Sequence, residues 1–267
     1  MKLGLCTAEI ARVRAAREWG YDYVEIAGRS VVPLEPEGSW HPLRRQLEDT
    51  GATITHLNSF VPADLRCVGP DVDWARVSAY LESCVGRAAE VGVRTFVWGS
   101  APSRRVPIGW PLSRAFEQLE RTAHLIADAL APHGGTCAIE PLNARETNVI
   151  YHLTDGVLLA AGVDRPQMRV LSDYYHMALL NEPLEHVAAA RDWLAHTHTA
   201  GAGRHFPKPG DGLDHRAYLA ALRAVGYDDS LSLECSRVPA GADFADEARG
   251  GVAYYRQLLG ELAPASS

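Results

Sequence analysis

"MRVLSDYYHMALL" (168–180) and "LAHTHTAGAGRHF" (194–206) share one design. In each, a short apolar run gives way to metal-ligating side chains. The first run reaches Asp173, and His176 follows three residues later; the second carries His196 and His198. A carboxylate or imidazole at the end of a buried strand is costly unless it is paired or bound to a metal. Working outward, the same grammar repeats along the chain. Short runs rich in Val, Ile, Leu and Thr occupy 2–7, 23–28, 53–59, 95–100, 136–143, 168–173, 194–200 and 231–236. Period-3.6 stretches follow them near 8–19, 40–50, 73–92, 113–134, 154–162, 183–193, 213–225 and 244–262. Gly20, Gly51, Gly92, Gly134 and Gly226 close several of these, as left-handed helix ends require. Eight strand–helix units predict a (β/α)8 barrel, a single domain over 1–267 with a frayed tail at 262–267. A doubly wound open sheet shares the alternation, but no glycine-rich phosphate loop follows the first strand.

Composition narrows the function. Of 267 residues, 47% are hydrophobic and 22% charged, enough for a sizeable core. The net charge of −7 does not favour a nucleic-acid partner, because phosphate binding needs a positive surface. No window reaches ~18 uninterrupted apolar residues, so no membrane span is expected. The apolar part of "MKLGLCTAEIARVR" is too short for a signal peptide. The five cysteines are read as reduced thiols of a cytoplasmic protein.

In a barrel of this kind the chemistry sits at the C-terminal ends of the strands. Polar residues collect there: Glu25, His56, Glu140, Asn143, Asp173, His176, His196, His198 and Glu234. Glu140, Asp173, His198 and Glu234 come from the fifth to eighth strands in order. Three carboxylates and one imidazole suit Mn²⁺, Mg²⁺, Co²⁺ or Zn²⁺. His196 and His198 share a strand face; His198, nearer the end, is the better ligand, and His196 reads as a core histidine supporting it. Glu25 and His56 either contact substrate or support the metal ligands. Trp98, Trp110 and Phe60 either form an apolar wall against a sugar or pack between loops and barrel. Arg104 and Arg105 read as a solvated loop rather than a phosphate site.

The segments "IEPLN", "SDYYHM", "HTHTAGAGR" and "SLEC" resemble the sugar isomerase/epimerase superfamily with a xylose-isomerase-like barrel, and most closely its ketose 3-epimerases related to D-tagatose 3-epimerase. The resemblance runs along the whole chain as strand–helix order and is specific from 136 to 236. It implies that Glu140, Asp173, His198 and Glu234 hold one divalent ion, Mn²⁺ first among the candidates. It implies that Glu140 and Glu234 are the acid/base pair, and that Glu146, His176 and Arg204 contact a small sugar substrate. The expected reaction is epimerisation or isomerisation of a ketose or keto-sugar, phosphorylated or not, through an enediolate. Dehydration of a keto-inositol or dehydroshikimate-like substrate, and isomerisation of hydroxypyruvate, fit the same fold and metal. An apurinic endonuclease would need a basic groove, and a pure binding protein would need no acid/base pair. A homo-oligomer is compatible with this family, although no sequence feature fixes an interface.

Overall fold

A computed structural model describes residues 1–262. Eight strands, β1 (Lys2–Cys6), β2 (Tyr23–Ala27), β3 (Ile54–Asn58), β4 (Thr95–Trp98), β5 (Thr136–Ile139), β6 (Met168–Asp173), β7 (Leu194–Thr199) and β8 (Ser230–Leu233), close into a barrel in chain order. Every pairing is parallel, and β1 completes the ring against β8. The barrel is therefore the observed architecture, and it forms one domain core.

The helices are α1 (Ile10–Ala15), α2 (Glu37–Glu48), α3 (Trp74–Glu90), α4 (Ala101–Arg104), α5 (Leu112–Leu130), α6 (Leu153–Val163), α7 (Tyr174–Leu180), α8 (Glu185–Ala189), α9 (His215–Ala224) and α10 (Phe244–Glu261). The longer ones present an apolar stripe to the barrel. Helix α5 buries Ala115, Leu119, Ala123, Ile126, Ala127 and Leu130 at helical spacing. Helix α3 starts at Asp73, whose side chain accepts from the Arg76 amide. It is followed by Gly92, at φ 102°, where a Cβ would lie 2.9 Å from the Ile54 carbonyl oxygen.

Three expectations change. The helix expected at 8–19 is only Ile10–Ala15, and the one at 183–193 shrinks to Glu185–Ala189 before a 3₁₀ turn. Two short helices, α4 and α7, were not anticipated. The fifth strand ends at Ile139 rather than 143, since Pro141 cannot donate to the ladder. Of the tail expected to fray, 262–267, Leu262 closes α10, and residues 263–267 lie outside the described residues.

Alternation divides the strands' side chains between the barrel interior and the helix layer. On β4, Phe96 and Trp98 join the main core, whereas Val97 joins Ala138 and Leu171 in a separate apolar cluster. That small cluster fills the interior on the β4–β6 side. The interior between β2, β3, β7 and β8 is polar instead, with Tyr23, Glu25, His56, His196, Ser230 and Ser232 all buried.

Candidate active site

Glu140 follows β5, Asp173 ends β6, His198 lies in β7 and Glu234 follows β8. The barrel brings one ligand atom from each to within 4.8 Å of the others. Each is placed by a local device. Asp173 caps α7: one carboxylate oxygen accepts from the Tyr175 and His176 amides, which turns the other toward the cluster. Glu140 faces Gly99, where a Cβ would sit 2.0 Å from Oε2, so only glycine leaves the carboxylate its place. Arg104 is fully buried under this segment and donates to the carbonyls of Trp98 and Glu140. The solvated-loop reading of Arg104 is thus corrected, while the neighbouring Arg105 is exposed and donates to the Glu146 carbonyl.

His198 hangs between two carboxylates. Its Nε2 lies 2.9 Å from Glu25, and its Nδ1 lies 3.5 Å from Glu140 Oε1. Both Nδ1 and that Glu140 oxygen are buried with no hydrogen-bond partner among the described residues. Burial opposes charge on His198, but Glu25, then Glu140, overcome it and hold the imidazole well above its usual range. Burial, and next Glu140, push the Glu234 carboxyl up to about 7. Three crowded carboxylates with orphaned donor atoms are unfavourable on their own. A divalent cation answers both problems, and the oxygen-rich donor set fits one.

Glu25 and His56 are not at the mouth. Glu25 accepts from His196, His198 and Ser232 at 2.7–2.9 Å, one tier below the cluster. Glu25 therefore holds a proton on His198 Nε2, which leaves Nδ1 as the nitrogen that turns to the cluster and becomes a ligand once its own proton is lost. Burial pushes Glu25 up, but His198 and His196 outweigh it and hold its carboxyl well below the usual range. Its pairing with His198 spans 173 residues and could not be read from local sequence.

Around the cluster lie the three remaining expected residues. Arg204 pairs with Glu234 at 2.5 Å and with Glu146 at 3.1 Å, and lies over the Tyr175 ring. Asn143 anchors this group: its amide donates to His176 Nδ1 at 3.1 Å and its side chain donates to Glu146 at 2.9 Å. With Nδ1 accepting, His176 carries its proton on Nε2, which faces an Arg204 nitrogen at 3.0 Å. These two groups both donate, so neither satisfies the other at this distance. Glu140, Glu146, His176, Arg204 and Glu234 line one end of a cavity of ≈ 720 Å³. The aromatic wall is not found: Trp98 and Phe60 are fully buried, and Trp110 lines a different depression.

Residues 13–258 match the model of a family described as xylose isomerase-like TIM barrel. The chain belongs to that family. A probable ketose 3-epimerase of Synechocystis sp. is 26% identical over 226 residues, covering 82% of this chain and 75% of the relative. A D-psicose 3-epimerase of Agrobacterium fabrum is 23% identical over 266 residues, covering 90% of each. Both relatives are ketose 3-epimerases by name, and such enzymes are isomerases. Among solved structures, 3-keto-D-glucoside 4-epimerase from E. coli superposes with a TM-score of 0.79 at 23% identity, over 96% of this chain and 99% of that one. No described helix is long and apolar enough to cross a membrane.

Proposed function

We propose that the protein is a divalent-metal-dependent epimerase or isomerase of a ketose or keto-sugar. The observation that carries this reading is the convergence of Glu140, Asp173, His198 and Glu234, two of which, Glu140 and Glu234, line one end of the cavity of ≈ 720 Å³. The ketose 3-epimerase relatives support it. Glu140, Asp173, His198 and Glu234 would hold the ion, with Mn²⁺ the first choice among Mn²⁺, Mg²⁺, Co²⁺ and Zn²⁺. The ion would polarise the substrate carbonyl and make the neighbouring C–H more acidic.

The rest falls to the protein's own groups. Glu140 and Glu234 stand three strands apart around the ring, so each approaches a bound sugar from its own side. One carboxylate takes the proton from the carbon beside the carbonyl, leaving an enediolate. The other, as the acid, returns a proton to the opposite face of that carbon, and the configuration inverts. Return to the adjacent carbon gives isomerisation instead. His176 Nε2–H and Arg204 donate to the sugar oxygens, and Glu146 holds Arg204 in place.

The test is exchange in D₂O. The Mn²⁺-loaded protein should epimerise a ketohexose such as D-fructose and place deuterium on the carbon next to the carbonyl. Product formed with no solvent deuterium, its original label moved intact, would demote both glutamates to metal holders and favour a hydride shift.

A further inference from the structure

The cavity is larger than the reacting sugar. A hexose has about a dozen heavy atoms, and even at ~30 Å³ each, the share a water takes in the liquid, it displaces ~360 Å³, half of the ≈ 720 Å³ present. The acid/base end accounts for only part of the lining. The remainder comes from the segments after β2, β3 and β4, with Val32, Leu34, Val61, Pro62, Leu65 and Pro102 as its aliphatic surface.

This outer half is built, not loose. Arg87 is buried and donates to the carbonyls of Val32 and Glu35 while pairing with Glu37, which ties down the segment after β2. The Val61 amide donates to Ser100 Oγ at 3.0 Å, and Tyr80 donates to the Phe60 carbonyl at 2.8 Å, so the segments after β3 and β4 are fastened too. Eight described non-glycine residues have positive φ, and five of them line this one cavity: Val32, Leu34, Ser59, Ser100 and Arg204. Val32 is β-branched at φ 40°, a conformation such residues avoid. Backbone strain concentrated on a cavity wall is characteristic of a ligand clamp.

The charges of the outer half select what it takes. Arg76 is neutralised by Asp64 at 2.7 Å, and the other two charged side chains of the lining there, Arg29 and Glu35, balance in number although they form no ion pair with each other. No excess positive charge awaits a phosphate. Aliphatic patches beside scattered polar groups suit a neutral, hydroxylated, ring-shaped group.

Building on the epimerase reading above, we infer that the preferred substrate is a glycosylated keto-sugar: the reacting sugar lies at Glu140 and Glu234, and a neutral glycosyl substituent occupies the half walled by Val32–Glu35 and Val61–Leu65. Binding energy from that remote group serves the reaction at the other end.

The experiment measures deuterium uptake at C3 by the Mn²⁺-loaded protein for D-fructose, D-fructose 6-phosphate and isomaltulose, a fructose carrying glucose on O6. Isomaltulose should exceed D-fructose in kcat/KM by at least ~10-fold. Ala63→Trp, at an exposed position of the outer wall, should lower that ratio toward unity. Isomaltulose no better than D-fructose would overturn the inference and leave the epimerase reading standing. A lead for the 6-phosphate would overturn it in favour of an anionic substituent. An unchanged ratio in Ala63→Trp would overturn the placement of the glycosyl group. No exchange with any of the three would remove the epimerase reading, and this inference with it.

Discussion

Two tiers of polar side chains lie one above the other inside the barrel, and they differ in how completely they satisfy themselves. In the lower tier every proton has a place. His56 accepts from Thr55 at Nδ1 and donates to Ser230 at 3.2 Å; Ser230 donates to His196 Nδ1 at 2.9 Å; His196 donates to Glu25 at 2.9 Å. Tyr23 donates to Ser232 at 2.8 Å, and Ser232 donates to Glu25. Burial keeps His56 and His196 below their usual range, in keeping with neutral rings whose tautomers this chain of bonds assigns. In the upper tier, Glu140 Oε1 and His198 Nδ1 have no partner among the described residues. Both tiers are buried, so burial alone does not mark function. Between these two tiers, incompleteness does: the satisfied network rigidifies the barrel, whereas the unsatisfied one, with its ligating atoms converging, suits a ligand. His198 belongs to both, with one nitrogen in each.

The largest effect that would sharpen this contrast lies in the upper tier. Glu140→Gln and Glu234→Gln should each lower kcat by ~10²–10⁴-fold, the usual worth of a placed acid or base. Gln keeps an oxygen for the ion, so the metal content measured alongside should fall less than turnover. Equal losses of both would reduce these glutamates to ligands.

Glu25→Gln tests the link between tiers. Losing the charge beneath His198 should weaken metal affinity by about 10–100-fold. Denaturant unfolding should also register a loss of ~3–5 kcal/mol, because the histidines keep a buried partner of reduced strength. If affinity and stability both stay at wild-type values, the tiers are independent and the comparison fails.

Arg204→Ala should retain metal and lower kcat/KM by about 10–100-fold, as expected from a lost charge-assisted hydrogen bond of ~1.5–3 kcal/mol. Loss of metal with normal kinetics after reconstitution would move Arg204 from substrate to ligand support.

The smallest effect is in pH. Glu234, raised to about 7, and His198, also raised, stabilise the metal-free fold while protonated. That stability is complete below their unfolded values and is lost as pH rises through the folded ones. Metal needs both groups deprotonated, so its benefit runs the other way. Thermal unfolding should show the Mn²⁺-induced rise in Tm to be about 3–8 °C greater at pH 8 than at pH 5.5. A larger rise at pH 5.5 would contradict the pairing of these groups with the ion.

The eight strands were legible because apolar runs of limited length alternate with amphipathic stretches, a pattern that survives without any tertiary knowledge. The upper tier was legible because its members punctuate consecutive strands: Asp173 ends one, and His198 lies near the end of the next. The lower tier was only half legible. His196 could be assigned to the interior by its spacing from His198, but Glu25 and His56 were placed too near the mouth. Strand boundaries do not reveal depth in a barrel whose strands are staggered. Arg104 was missed for a related reason. In "PSRRVP" it looks like its exposed neighbour Arg105, and its burial depends on carbonyls 6 and 36 residues away. The cavity's outer wall left no sequence signal either, since aliphatic and proline residues in loops carry no periodicity.

The central claim is that the upper tier is incomplete because it holds one divalent ion. Elemental analysis of wild type and Asp173→Ala, each equilibrated with Mn²⁺ and freed of excess, tests it most directly. Asp173 lies on the ion's side of the divide, and its loss leaves the Glu25 network untouched. Wild type should carry one Mn²⁺ per chain and Asp173→Ala should carry almost none, with the Mn²⁺-induced gain in Tm lost as well. Equal Mn²⁺ in both proteins would contradict the account.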